Sequence, residues 1–177
     1  LRHLFLRLAP GLPGPVKVEA WRLAASTARN YLLLSRLLNA VGVDAGRFEP
    51  RRRCAAWLLA YLTVVDRAGR EEALVKPVAK AAGLGQGAVK QLARLEVEDA
   101  YAGLRGLERL AVKHSMPTWV VEELSRVEPR SLEGLLKRLN RDPSRWLRVN
   151  LRLASREELA RRLAKRGVVA ALDVDLP

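Results

Sequence analysis

Aromatic residues make up only 5% of this 177-residue chain. Its core must therefore come from leucine, alanine and valine, within a hydrophobic fraction of 49%. There is one cysteine, Cys54, which excludes an internal disulfide and a cysteine-based zinc cluster and makes the cytoplasm the default location. Asparagine and glutamine total six, and arginine outnumbers lysine 25 to 7. Few thermolabile side chains and many charges are what a thermophile's protein is expected to show. The two histidines, His3 and His114, have no partner at metal-ligand spacing, and His114 reads as a helix-start residue. No apolar run approaches the roughly 18 residues of a membrane-crossing helix. The opening run, residues 1–10, has charges inside its apolar stretch and no small-residue cleavage site, so it is not expected to be a signal peptide. Position 1 is Leu1, and a few residues are expected to be missing in front of it.

What the chain does have is positive charge. The formal net charge is +13, and it is unevenly spread. Residues 1–60 carry 10 basic and 3 acidic side chains, residues 61–129 carry 10 of each, and residues 130–177 carry 12 and 6. Basic surfaces neutralise phosphates and release counterions, so a nucleic-acid partner is favoured over a merely solvated surface.

The length suits one good core or two small ones. After the breaker Gly11-Leu12-Pro13-Gly14-Pro15, residues 16–41 have helical spacing, and Leu32-Leu33-Leu34 with Leu37-Leu38 make much of that helix apolar. A loop is expected over 42–50. A helix opened by Arg51-Arg52-Arg53 then runs to Val65, with Gly69 ending it. Further helices are expected over 71–82 and 88–111, the second broken near Gly103 or Gly106. Four or five such helices make a compact bundle. Ser115 and Pro117 suit the start of a helix through Val127, and Ser131 the start of another through Leu139. Then the period changes. Leu147, Val149, Leu151 and Leu153 alternate with Trp146, Arg148, Asn150 and Arg152, as in a half-buried strand with one basic face. Ser155-Arg156-Glu157-Glu158 is a capping box, Gly167 suits a helix C-terminus, and residues 168–176 read as a second strand. The expected fold is mainly α, with a helical bundle followed by a small β-α-β piece. The expected divisions are a bundle over 1–112, connecting helices over 113–144, and the start of an α/β unit over 145–177.

Three short patterns occur in order near the C-terminal end. They are Ser115-x-Pro117-x-Trp119, then Leu139-Asn140 with Pro143, then Trp146-Leu147-Arg148-Val149-Asn150. Together they resemble the Sun/RsmB (Nop2/Sun) family of RNA cytosine-C5 methyltransferases, over roughly residues 113–176. The resemblance implies a small RNA-recognition-like domain at this place, preceded by a NusB-like RNA-binding bundle. It also implies S-adenosylmethionine and a catalytic domain further along a longer protein. The bundle departs from the family's pattern in its last helix, where Gly87 and Arg94 are kept but Lys90 and Gln91 replace an asparagine and a glycine.

No catalytic or metal site is expected within this chain. Cys54 matches neither cysteine motif of the family and reads as structural. Gly83-x-Gly85-x-Gly87 follows no strand, so it is not a dinucleotide fingerprint. Paired acids at helix starts are explained by the helix dipole. The expected role is therefore RNA positioning by a fragment without catalytic chemistry. The residues expected to touch RNA are Arg51, Arg52 and Arg53 at a helix start, Arg141 and Arg145 beside the strand, and Trp146, Arg148 and Arg152 on it. Trp146 is suited either to stacking on an unpaired base or to packing against the bundle. Two other readings stay open. One is a stand-alone NusB-like factor in transcription antitermination or ribosome assembly. The other is a helical protein-interaction module whose charge serves solubility.

Overall fold

A computed structural model of the chain describes residues 11–66, 72–141 and 146–172. The residues group by their contacts into two compact units, Leu1–Arg141 and Asp142–Pro177.

The first unit is helical. Its helices are α1 (Gly14–Arg29), α2 (Tyr31–Ala40), α3 (Pro50–Ala60), α4 (Glu72–Ala82), α5 (Gln86–Leu92), α6 (Gly106–Lys113), α7 (Thr118–Val127) and α8 (Leu132–Leu139). The helical run expected over 16–41 is two helices. Asn30 separates them, with its backbone N–H on the Ser26 and Thr27 carbonyls and its side-chain amide donating to Ser26 O at 2.8 Å. α2 lies at the centre, burying Leu33, Leu34, Leu37 and Leu38. Around it the main core collects Leu59, Ala60, Tyr61 and Val64 from α3 and its extension, Ala79 and Ala82 from α4, Leu92 from α5, and Tyr101. The α3 extension is a wide turn over Tyr61–Val65, closed by Asp66 N–H on Tyr61 O at 2.9 Å. That extra residue per turn aims the Asp66 carboxylate at Arg22, whose guanidinium donates to it at 2.8 Å. Glu19 and Asp66 together raise the pKa of Arg22 above its ordinary value.

The single helix expected over 88–111 is instead three short pieces: α5, a 3-10 turn over Val97–Tyr101, and α6. Two local signals explain the breaks. Glu96 and Asp99 form a reciprocal capping box that starts the 3-10 turn. Gly103 and Gly106 hold φ values of +77° and +55°, outside the right-handed helix. A Cβ at Gly87 would meet nothing within 4 Å, so no close helix packing depends on that glycine.

α6 faces two cores. Val112 belongs to the main core, while Ala111 joins Val121, Leu132 and Leu136 in a second, smaller one. The turn after α6 connects them. Ser115 N–H bonds to Val112 O at 3.0 Å and Met116 N–H to Ala111 O at 2.8 Å, the paired bonds of a helix-terminating motif usually completed by glycine. Here the left-handed position is held by Ser115, with φ of +49°. Its hydroxyl does not cap α7, as the sequence suggests; Pro117 stands at that cap. Ser115 Oγ instead accepts from Leu32 N–H at 2.9 Å. Leu32 lies in the first turn of α2, where N–H groups have no helical partner and Asn30 gives no side-chain cap. One serine thus ends α6 and satisfies the start of α2. Next to it, the His114 carbonyl accepts a bond from the Asn140 side-chain amide at the end of α8.

The second unit contains α9 (Arg156–Ala164). Ser155 Oγ accepts from Glu158 N–H at 3.1 Å at its start. Val168 N–H on Leu163 O and Gly167 N–H on Ala164 O close its end, with Gly167 at φ of +76°. The helix is where the sequence puts it, but the flanking strands are not formed among the described residues. Residues 146–150 are irregular, 151–153 form a turn, and 168–172 are irregular. Residues 173–176 of the second expected strand lie outside the described residues, as do Gly69 and the opening run. Alternation supplies two faces but no ladder, and no strand is present among the described residues to complete one. Asn150 takes up the slack: its side-chain Oδ1 accepts from Arg152 N–H at 3.1 Å, and its backbone carbonyl accepts from the Leu153 and Ala154 N–H groups.

Replacing Ser115 by alanine leaves the left-handed strain and removes the bond to Leu32. The variant is expected to lose about 1–2 kcal/mol in chemical denaturation. Ser115→Gly, which also loses the bond but relieves the backbone, is expected to lose less.

Candidate nucleic-acid interface

The arginine triplet stands at the start of α3, where the helix dipole disfavours cations. The structure resolves that conflict by sending two of the three side chains elsewhere. Glu49 caps the helix, accepting from Arg52 N–H at 3.1 Å, and Pro50 occupies the first helical position. Arg52 then reaches the C-terminal end of α4. Its Nε donates to Ala82 O at 2.8 Å and its Nη2 to Gly83 O at 3.4 Å. The guanidinium also lies over the Phe48 ring, 4.1 Å from its centre. On the other side is Gly83, at φ of +62°, where a Cβ would come within 3.0 Å of the guanidinium. Arg52 is therefore a cation at a helix C-terminus, where the dipole favours it. Arg53 donates through Nη2 to Phe48 O at 2.8 Å and Gly46 O at 3.3 Å, fixing the 45–48 loop. Arg51 alone of the three is exposed with no partner among the described residues. Cys54 beside them is exposed.

The other expected RNA-contacting residues divide between the two units. Arg141 is exposed at the end of the first. Trp146, Arg148 and Arg152 are exposed in the second, with Trp146 retaining 68% of its surface. Arg145 lies outside the described residues. Around Trp146 the second unit also exposes Leu147, Leu151 and Leu153, and α9 adds Arg161 and Arg162. Arg162 is paired with Glu158 one turn earlier, at 2.5 Å.

Beside Arg141, α7 and α8 expose three residues that the sequence did not mark as RNA contacts: Trp119, Lys137 and Arg138. Lys137, Arg138 and Arg141 are exposed, and Arg141 N–H bonds to Arg138 O, so a helical turn continues past the end of α8 to Arg141. Their spacing of one, then three, was the available signal. Trp119 is 67% exposed in the first turn of α7. Its exposure is a tertiary fact that no pattern announces.

His114 lies at the junction between these helices and the bundle. It is buried, its Nε2 has no hydrogen-bond partner, and Glu133 Oε1 lies 3.8 Å from it. Glu133 is itself held by Lys113 at 2.6 Å, which keeps its carboxyl below the usual range. Burial pushes the pKa of His114 down, with Lys113 and Lys137 adding to the effect and Glu133 opposing it. Among the described residues no group of three or more histidine, cysteine or acidic side chains is placed to hold a metal. No described helix is long and apolar enough to cross a membrane.

Residues 116–177, about a third of the chain, match a family model described as Methyltr_RsmF/B-like, ferredoxin-like domain. The match begins one residue after Ser115, and so takes in α7 and α8 as well as the second unit. No curated protein and no solved structure matches the chain.

Arg52→Ala is expected to lower stability by about 1–2 kcal/mol, because it strips two carbonyls at the end of α4 of a charged donor. Arg51→Ala is expected to leave stability within about 0.5 kcal/mol. Paired thermal or urea melts check both. A second expectation concerns acid. A histidine whose folded pKa is depressed contributes stability above its unfolded pKa of about 6.5 and loses it as pH falls further. Urea midpoints from pH 7.5 down to 5 should therefore decline in the native chain, and decline less in His114→Gln. That window lies above the one in which Glu19, Glu133 and Glu157 titrate, since their pKa values are lowered from 4.5.

Proposed function

We propose that this chain is the RNA-binding N-terminal part of an S-adenosylmethionine-dependent RNA cytosine-C5 methyltransferase of the cytoplasm, acting on ribosomal or transfer RNA. The observation that carries the reading is the match over residues 116–177 to an RsmF/B-like ferredoxin-like domain. It falls on the stretch holding Trp119, Asn140 and the Trp146–Asn150 run. The net charge of +13, concentrated toward both ends, supports RNA as the partner. The bundle of α1 to α6 is read as NusB-like.

The chain's part is to bind and position. Its cations hold phosphates, and Trp146 offers a face on which an unpaired base stacks. Arg51, Arg141, Arg148 and Arg152 are exposed and suited to phosphate contact, with Arg145 the remaining candidate. Arg52 and Arg53 act one step back, by shaping the turn from which Arg51 projects. The methyl donor needs a strand, a glycine-rich turn and a helix in succession. The donor and the nucleophile are assigned to a catalytic domain elsewhere in a longer protein, and the exposed Cys54 has no part in the reaction.

Binding to structured ribosomal and transfer RNAs at a series of salt concentrations tests the reading. Affinity should fall steeply with salt and exceed that for a duplex DNA of the same length. The combined change of Arg51, Arg148 and Arg152 to alanine should reduce the slope of log K against log salt by about 2–3 units. Equal, weak binding to all nucleic acids would contradict the proposal.

A further inference from the structure

One end of the α7–α8 pair carries an exposed aromatic ring at the start of α7 and three exposed cations at the end of α8. Trp119 is 67% exposed, although Val121, two residues on, is fully buried in the second core. Lys137 and Arg138 are exposed on the last turn of α8, and Arg141 is exposed two residues past its end. Between them, Asn140 donates to the His114 carbonyl, which places this end of α8 beside the turn from which α7 starts. Two nearby acids are neutralised, Glu123 by Arg126 and Glu133 by Lys113, each at 2.6 Å. Glu122, one turn from Trp119 on α7, is exposed, so the favourable path for an anion runs along α8.

The ring is carried by a fixed helix. The second core, the Asn140 bond and the Ser115 bond hold the surrounding backbone. A flat apolar face with cations beside it matches the chemistry of a single-stranded nucleic acid, whose bases stack on aromatic rings while its phosphates meet lysine and arginine. A duplex, with its bases already stacked, offers the ring nothing. An apolar protein surface would leave the three cations without partners.

We propose that this end of the α7–α8 pair binds an unpaired RNA segment, with a base stacked on Trp119 and flanking phosphates on Lys137, Arg138 and Arg141. The proposal rests on the RNA-binding reading above and adds to it which form of RNA this surface takes.

The test is fluorescence anisotropy with the whole chain, using a labelled pyrimidine-rich single strand and an RNA hairpin stem of equal charge. Trp119→Ala should weaken single-strand binding by about ten-fold. Trp119→Phe should keep most of the affinity, and neither change should alter stem binding. Changing Lys137, Arg138 and Arg141 together to alanine should weaken both RNAs and reduce the salt slope. Trp119 is exposed, so circular dichroism should show an unchanged fold. If the native chain binds RNA and Trp119→Ala binds the single strand as tightly, this inference fails and the RNA-binding reading stands. Equal loss of both RNA forms in a folded Trp119→Ala also overturns it. A native chain that binds neither RNA overturns both.

Discussion

The hydrogen bond from the Leu32 amide to Ser115 Oγ ties the first unit together. It joins residues 83 positions apart and does two tasks at the same point. It satisfies an amide in the first turn of the central helix α2, and it fixes a left-handed turn that directs the chain away from α6. A glycine there would make the turn without strain and leave the Leu32 amide to find another partner. An alanine would keep the strain and lose the bond. Serine is the compromise, and the placement of α7 and α8 follows from it: their small core forms on the Ala111 side of α6 while Val112 on the next position faces the bundle.

Arginine serves two purposes in this protein. Part of the basic charge is engaged within the fold: Arg52 completes the end of α4, Arg53 fastens the 45–48 loop, and Arg22 links α1 to the Asp66 turn. These side chains meet carbonyls and carboxylates and leave little for a ligand. The rest is displayed. Arg51, Lys137, Arg138, Arg141, Arg148 and Arg152 are exposed. A net charge of +13 is thus a poor guide to any one residue's role. The three consecutive arginines are one letter in the sequence and two functions in the fold.

The helices were legible because apolar spacing records which face is buried, and α3, α4, α7, α8 and α9 stand close to where that spacing puts them. The breaks were less so. Residues 88–111 keep helical spacing through Glu96 and Gly103, yet a capping box and two left-handed glycines divide them. Ser115 was visible as a cap, but its partner, Leu32, lies too far away in sequence for any local pattern to name. The same holds for Arg52, which escapes the unfavourable dipole of its own helix by reaching another. The run from Trp146 to Leu153 has a strand's alternation, but a strand exists only with a neighbour to bond, and Asn150 offers the backbone a turn instead. Of the residues expected to meet RNA, Arg51, Arg141, Trp146, Arg148 and Arg152 are exposed, whereas Trp119, Lys137 and Arg138 emerge only once α7 and α8 are packed.

The most direct measurement is ultraviolet crosslinking of the chain to transfer and ribosomal RNA, followed by mass spectrometry of the crosslinked peptides. Crosslinks are expected in peptides spanning residues 113–141 and 146–166, including Trp119 or Trp146. Crosslinks confined to α4 and α5, or none above the background of an acidic control protein, would contradict that expectation.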